Sequence, residues 1–308
     1  MDFKQLEAFI NVAKYKNFSK AGKVLYLSQP TISMHISNLE KELGTTLFDR
    51  NSKEVNLTPS GNDFLKYALD LINIKNHALH ELTRSNDSIK GAIQISTSST
   101  PNLIILPTAI EQFTKLHPEV RFFIEEKSTN LIIEDVCSLQ ADIGLVGTNI
   151  ESDRFMKYPL FDDQFVFIAS KSLNIPPVIE LSDLRHYQII HRSPESATRI
   201  ELERNMTSQG LDISLLDTLV ETDDLNLLML LVNKGLGLSY VSNHVFENFR
   251  KVLDITSFSI KGISAHKHIE MILNKRRTLS PAAEDFSKLI LKLFQDEKIK
   301  TCCSKKDG

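Results

Sequence analysis

The sequence predicts an all-α N-terminal domain of winged helix-turn-helix pattern, a long linker helix and a two-lobed α/β domain. Three observations carry this fold class. Apolar residues recur at helical spacing in three short segments over residues 1–43, a long seam of three- and four-residue steps follows Pro59, and strand-like and helix-like patterns alternate from residue 90 onward. The boundaries read as 1–58 for the first domain, 59–89 for the linker and dimerisation helix, and 90–300 for the α/β domain, with a disordered tail over 301–308. A chain of 308 residues is long enough for two or three such units.

In the N-terminal domain Phe3, Leu6, Phe9, Ile10 and Ala13 mark the first helix and Phe18 to Leu25 the second. The third starts after Ser28, a good N-cap, with Pro30 just inside, where a missing N–H costs little. Its apolar face is Ile32, Ile36, Leu39 and Leu43, and Gly44 ends it. From Leu47 to Thr58 the pattern shortens to a small hairpin or wing around Asn51, Ser52 and Lys53. The linker helix starts at Thr58-Pro59, and Leu65, Ala68, Ile72, Lys75, Leu79 and Leu82 form a coiled-coil-like seam.

Beyond residue 90, AIQIS, VRFFIEE and DIGLVG read as strands, with TAIEQFTKLHP and NLIIEDVCSLQ as the helices between them. Such alternation predicts a parallel sheet. The second lobe follows with DQFVFIAS and YQIIHRS, and a helix near Ala282 to Phe294 closes the chain. The first lobe takes in about 90–160 and 266–300 and the second about 161–265, with crossings near Tyr158 to Phe161 and Gly262 to His268.

Composition excludes several classes of function. The net charge of −3 leaves any affinity for phosphate to a local basic surface. No long apolar run opens the chain, so a cytoplasmic protein without membrane contact is expected. Cys137, Cys302 and Cys303 have neither disulfide nor zinc spacing. No G-x-S-x-G, P-loop, G-x-G-x-x-G or H-E-x-x-H occurs, so no catalytic residue, metal or cofactor is expected and the chain does not read as an enzyme.

A recognition helix needs short polar groups on its first turns to read base edges in the major groove. Gln29, Pro30, Thr31, Ser33, Met34 and His35 stand at those positions, with Arg50 and Lys53 in the wing and Lys4, Lys20 and Lys23 available to phosphates. On patterning alone a three-helix bundle with a solvated polar face fits as well. The run FKQLEAFINVAKYKNFSKAGKVLYLSQPTISMHISNLEKELGTTLFDRNSKEVNLTPSG, however, resembles the winged helix-turn-helix of LysR-type transcriptional regulators along its whole length.

That resemblance extends over nearly the whole chain and implies a periplasmic-binding-protein-like effector domain of two lobes. It further implies homodimers, often tetramers, on an inverted-repeat operator in double-stranded DNA, with a small effector shifting contacts to DNA and RNA polymerase. Where many relatives carry Arg or Gln, this chain has Met34. The loop HRSPESATR resembles the family's Arg-Glu-Pro-Gly-Ser-Gly-Thr-Arg loop, matching at Arg192, Ser196, Thr198 and Arg199, with Glu195 and Ala197 in place of glycines. The SSTP and DIGLVG segments resemble the branch linked to sulfur, cysteine or selenium metabolism.

In two-lobed α/β domains ligands sit beyond the strand C-terminal ends. Those ends carry Ser98, Ser99 and Thr100, then Thr129, then Thr148, and in the other lobe Ser196 and Thr198. Hydroxyls at successive strand ends point to a small anionic effector. The alternative reading is a ligand-binding protein with no DNA-binding role.

Overall fold

The computed structural model describes residues 1–49, 55–83, 89–148, 150, 152–208, 216–263 and 266–303. Contacts divide the chain into two units: Met1–Asp87 with Arg276–Glu284, and Ser88–Lys275 with Asp285–Gly308. Among the described residues no helix is long and apolar enough to cross a membrane.

The first unit opens with α1 (Phe3–Tyr15), which Asp2 and Gln5 start with a reciprocal capping box. Asn17 caps α2 (Phe18–Leu25), and Tyr26 takes a left-handed conformation that ends it. The turn into α3 (Gln29–Leu43) is tight: the Leu27 amide donates to the Gly22 carbonyl at 2.8 Å, and a Cβ on Gly22 would lie 2.7 Å from the Leu27 carbonyl oxygen. Leu6, Phe9, Val12, Ile32, Ile36 and Leu39 form the buried centre. Phe9 packs against Phe48 and Phe64 at ring separations of 5.4 and 5.3 Å.

Leu43, expected on the buried face, is 37% exposed, because α3 has run past the core by its last turn. Glu40 is buried there instead, and its carboxylate accepts from the amides of Leu47 and Phe48 at 2.8 and 3.3 Å. It thereby satisfies the backbone where the wing begins. The wing pairs β1 (Phe48–Asp49) with β2 (Asn56–Leu57) antiparallel. Residues 50–54 between them lie outside the described residues, and with them Arg50 and Lys53.

Thr58 caps the linker helix α4 (Pro59–Thr83), its Oγ1 accepting from the Gly61 amide at 3.0 Å. The expected seam divides between two environments. Leu65, Ala68 and Ile72 pack on the unit's own core, and Lys75 pairs with Glu7 at 3.1 Å and lies 4.8 Å over the Phe3 ring. Leu79 and Leu82 are exposed, together with a different stripe formed by Tyr67, Leu71 and Ile74. A helix face cannot cover its own core and a partner at once, so Leu65, Ala68 and Ile72 leave the expected seam for the unit's own core. Segment 276–284 docks on the same helix: the Thr278 amide donates to Asp70 at 2.8 Å, and His77 meets the Leu279 carbonyl at 2.7 Å.

The second unit holds both lobes. In the first, β3 (Gly91–Thr97) lies parallel between β4 (Val120–Glu126) and β5 (Ile143–Val146). The connections are α5 (Ser99–Ile104) with α6 (Leu106–Leu116), then α7 (Thr129–Cys137). The sheet is mixed, not wholly parallel, since β12 (His266–Asn274) returns antiparallel to both β5 and β6 (Phe155–Ser170). A long strand shared by two sheets accounts for the difference: residues 155–164 of β6 pair with β12, whereas 165–170 pair with β10 (Ser239–Ser242) and β11 (Ile255–Ile260). The crossing therefore falls at Gln164–Phe165, beyond the Tyr158–Phe161 expected, and the return falls between Ile260 and His266.

The second lobe adds β7 (Val178–Ile179), paired with β11, and the parallel strands β8 (Ile189–His191) and β9 (Thr218–Glu221). Its helices are α8 (Ala197–Ser208), α9 (Leu225–Asn233) and α10 (Asn243–Phe249). The final helix, α11 (Pro281–Cys303), brings Phe286 onto Phe113 and Phe122 of the first lobe at 5.1 and 4.9 Å. It continues through residues 301–303, which had been expected in the tail; 304–308 lie outside the described residues. His191 is buried at the end of β8, with Nδ1 3.1 Å from the Tyr240 hydroxyl. Burial, reinforced by the positive charge of Arg199, lowers its pKa to about 4.

Two stability predictions follow from this packing. A Cβ at Gly61 would stand 2.1 Å from the Leu47 carbonyl oxygen, so Gly61→Ala is expected to cost about 1–3 kcal/mol in denaturant unfolding of the first unit. An unchanged midpoint would show that contact to be unimportant. His191 is held neutral in the native state and takes up a proton more readily when unfolded. The stability it contributes is thus present above pH about 6.5 and is lost as pH falls towards 4, by an amount on the order of 3 kcal/mol. Thermal melts between pH 7.5 and 4.5 should show a shallower decline for His191→Gln than for the wild type, and parallel curves would contradict this.

Candidate functional site

The residues expected to read DNA stand on the first turns of α3. Ser28 accepts from the Thr31 amide at 3.3 Å, and its hydroxyl lies 2.8 Å from that of Thr31, so the helix start is locked by its own side chains. Gln29 and Pro30 are exposed, Thr31, Ser33 and His35 are half-buried, and Met34 is 55% exposed. The Gln29 amide donates to Ser33 Oγ at 3.2 Å, which holds both side chains on one face. Lys4, Lys20 and Lys23 are exposed on the two preceding helices.

In the second unit a cavity of about 270 Å³ opens between the lobes. Ser98, Ser99, Thr100, Thr129, Ser196 and Thr198 all line it, although they come from strand ends about a hundred residues apart. Thr148 does not join them. It lines an adjacent cavity with Glu201, Arg204, His266 and His268, and Gly147 and Lys267 border both spaces.

Two buried cations, absent from the expected set, dominate the cleft. Lys267 is 6% exposed, and its Nζ donates to Thr100 Oγ1 and Thr198 Oγ1, each at 3.1 Å. One ammonium therefore ties the lobes together. Asp163 Oδ2 stands 3.6 Å behind it, and the other Asp163 oxygen meets His244 Nδ1 at 3.0 Å. Burial pushes the Lys267 ammonium down and the Asp163 charge offsets part of this. Burial alone would raise the Asp163 carboxyl, but the His244 hydrogen bond and the Lys267 charge hold it below the usual range.

Arg192, 7% exposed, donates from Nη2 to Ser99 Oγ at 2.8 Å and lies 3.6 Å from Asp223. Among the described residues its Nε has no hydrogen-bond partner, nor does the buried Ser98 hydroxyl oxygen. Burial lowers the Arg192 pKa, with Asp223 and Glu126 opposing it. Arg199, in the same loop, turns away: it donates to the Arg192 carbonyl at 2.7 Å and to Glu221 and Glu203 at 2.6 and 2.8 Å, bracing the loop. Lys127 is satisfied by Asp135 and Glu125, whose hydrogen bonds raise its pKa.

Lys267 was visible in principle. It alternates with exposed His266 and His268 and shares the buried parity of Ile269, the pattern of an inward-facing strand position. An ammonium placed there must find partners inside the domain.

Comparison with known proteins bears on both units. Residues 3–62 match the model of the bacterial regulatory helix-turn-helix protein, lysR family, and residues 86–295 match the LysR substrate binding domain. The chain is 30% identical over 283 residues to the HTH-type transcriptional regulator CysL of Bacillus subtilis, covering 90% of this chain and 94% of that protein. A cysteine variant of full-length OxyR from Pseudomonas aeruginosa has the same fold, with a TM-score of 0.72 at 18% identity over 95% and 94% of the two chains. Full-length CbnR complexed with its target DNA aligns with a TM-score of 0.54 at 20% identity over 95% and 99%. The chain thus belongs to the LysR family, as a DNA-binding transcriptional regulator whose N-terminal helix-turn-helix is joined to a two-lobed domain for an effector.

Proposed function

We propose that this regulator responds to a small anionic effector held between its lobes. The observation that carries the reading is the pair of buried cations, Lys267 and Arg192, facing one cleft lined by serine and threonine hydroxyls. An anion there gains charge-assisted hydrogen bonds in a low-dielectric setting. Ser98, Ser99, Thr100, Ser196 and Thr198 orient it, and Thr129 borders its entrance. Thr148 acts from the neighbouring cavity. Because Lys267 bonds both lobes, an anion that recruits it changes the balance of contacts across the hinge, and so the population of closed forms.

At the DNA, Gln29, Pro30, Thr31, Ser33, Met34 and His35 read the major groove of an inverted repeat in double-stranded DNA, with Arg50 and Lys53 of the wing on the backbone. Tyr67, Leu71 and Ile74, exposed on α4, supply the apolar stripe for a homodimer, from which tetramers and contacts to RNA polymerase build. The SSTP and DIGLVG segments favour regulated genes of sulfur, cysteine or selenium metabolism.

Three tests address these roles. Gln29→Ala and Ser33→Ala should each weaken gel-shift binding to DNA upstream of the chain's own gene by about ten- to a hundredfold, with folding retained; equal binding by both would remove α3 from base reading. Ile74→Glu should shift the sedimenting species towards monomer, and an unchanged mass would exclude the stripe. Lys267→Met should abolish the thermal stabilisation that small anions give the wild type. A variant that responds like wild type would overturn the cleft assignment.

A further inference from the structure

The charge around the cleft is not that of a plain anion trap. Its lining carries three cations, Lys127, Arg192 and Lys267, and three carboxylates, Glu126, Glu195 and Asp223. Three more carboxylates pair with the cations from behind: Asp163 with Lys267, and Glu125 and Asp135 with Lys127. Carboxylates therefore outnumber cations. A multiply charged anion entering this field would find little uncompensated positive charge, since each buried cation already faces a carboxylate.

The polar groups nevertheless remain poised for a ligand. Arg192, more than nine-tenths buried, keeps its Nε without a partner among the described residues, and the Ser98 hydroxyl oxygen has none there either. The two kinds of charge are also sorted along the cleft. Lys267 and Arg192 are buried, whereas Glu195 is exposed, Asp223 has a side chain 59% exposed, and Glu126 accepts from Asn102 at 2.8 Å in an exposed contact. The two buried cations lie deep, Lys127 is half-buried among its own carboxylates, and the three lining carboxylates are exposed.

We infer that the effector is bipolar, a small molecule of the amino-acid type whose single carboxylate seats on Lys267 and Arg192 while its ammonium faces Glu126, Glu195 and Asp223. This rests on the anionic-effector reading and narrows it. The inner cations bind one negative charge, and the outer carboxylates reject a second while accepting a positive one, so specificity comes from a repulsive element as well as an attractive one. Gly147 keeps the floor open: a Cβ there would lie 3.7 Å from Ser98 Oγ and 3.8 Å from Lys267 Nζ, filling space next to the carboxylate without distorting the backbone.

The test is a thermal-shift series on the full chain with four sets of probes: sulfate, succinate, the twenty L-α-amino acids, and their Nα-acetyl derivatives, which keep the carboxylate and lose the ammonium. At least one amino acid should stabilise the wild type, its acetyl derivative and the dianions should do so at least tenfold less effectively, and Lys267→Met should not respond. In Glu126→Gln with Glu195→Gln, apparent affinity for that amino acid should drop about three- to fivefold per carboxylate removed, and the penalty on the acetyl form should shrink. Stabilisation by sulfate, succinate or acetyl derivatives equal to or above that by amino acids, lost in Lys267→Met, would overturn the bipolar inference and leave the anion site standing. A panel with no response, or responses identical in Lys267→Met, would overturn the inference as well, the latter taking the cleft assignment with it.

Discussion

A single buried ammonium organises the effector unit. Lys267 sits on the strand that returns from the second lobe to the first, and its ammonium donates to Thr100 and Thr198 with the Asp163 carboxylate 3.6 Å away. An unpaired charge at that depth would cost several kcal/mol, so the surrounding elements have to deliver partners to it. Thr100 arrives on the helix after β3 and Thr198 on the helix after the Arg192 loop, while Asp163 lies on β6 just before the strand passes from one lobe to the other. The cleft and the crossing strands are consequences of one another. Any ligand that competes for the ammonium acts at the hinge.

The DNA-binding unit shows a similar economy at smaller scale. Buried Glu40 closes the backbone at the start of the wing, while the tight turn at Gly22 sets the angle between α2 and α3. Neither residue is on the exposed face of α3, yet both fix its position. The linker helix then separates its duties by face: Leu65, Ala68 and Ile72 complete the core, and Tyr67, Leu71 and Ile74 remain outward. That outer stripe, apolar and exposed among the described residues, is the surface on which the proposed homodimer rests.

Much of this was legible in the sequence because helices and strand ends announce themselves locally. Ser28, Pro30 and Gly44 bracket α3 with caps whose physics is independent of the rest of the fold. Ser98, Ser99, Thr100, Thr129, Ser196 and Thr198 were found from strand polarity and line one cleft. What escaped was non-local. Lys267, Asp163 and Glu40 are charged residues at buried phases of otherwise ordinary patterns, and only the fold shows which partners make their burial tolerable. The linker seam failed for the same reason, since period alone does not say which neighbour a stripe will meet. Thr148 obeyed the strand-end rule and still lines the adjacent cavity, a difference that residue spacing does not encode.

Under the proposed function, an effector at Lys267 changes how the first unit contacts DNA. Nuclease footprinting on DNA upstream of the chain's own gene, with the effector identified by thermal shift, tests it most directly in wild type and Lys267→Met. Both should protect the same sequence without effector, and only the wild type should change its protected boundary or cleavage pattern when effector is added. A footprint that shifts identically in both proteins, or one that never responds in the wild type, would contradict the account.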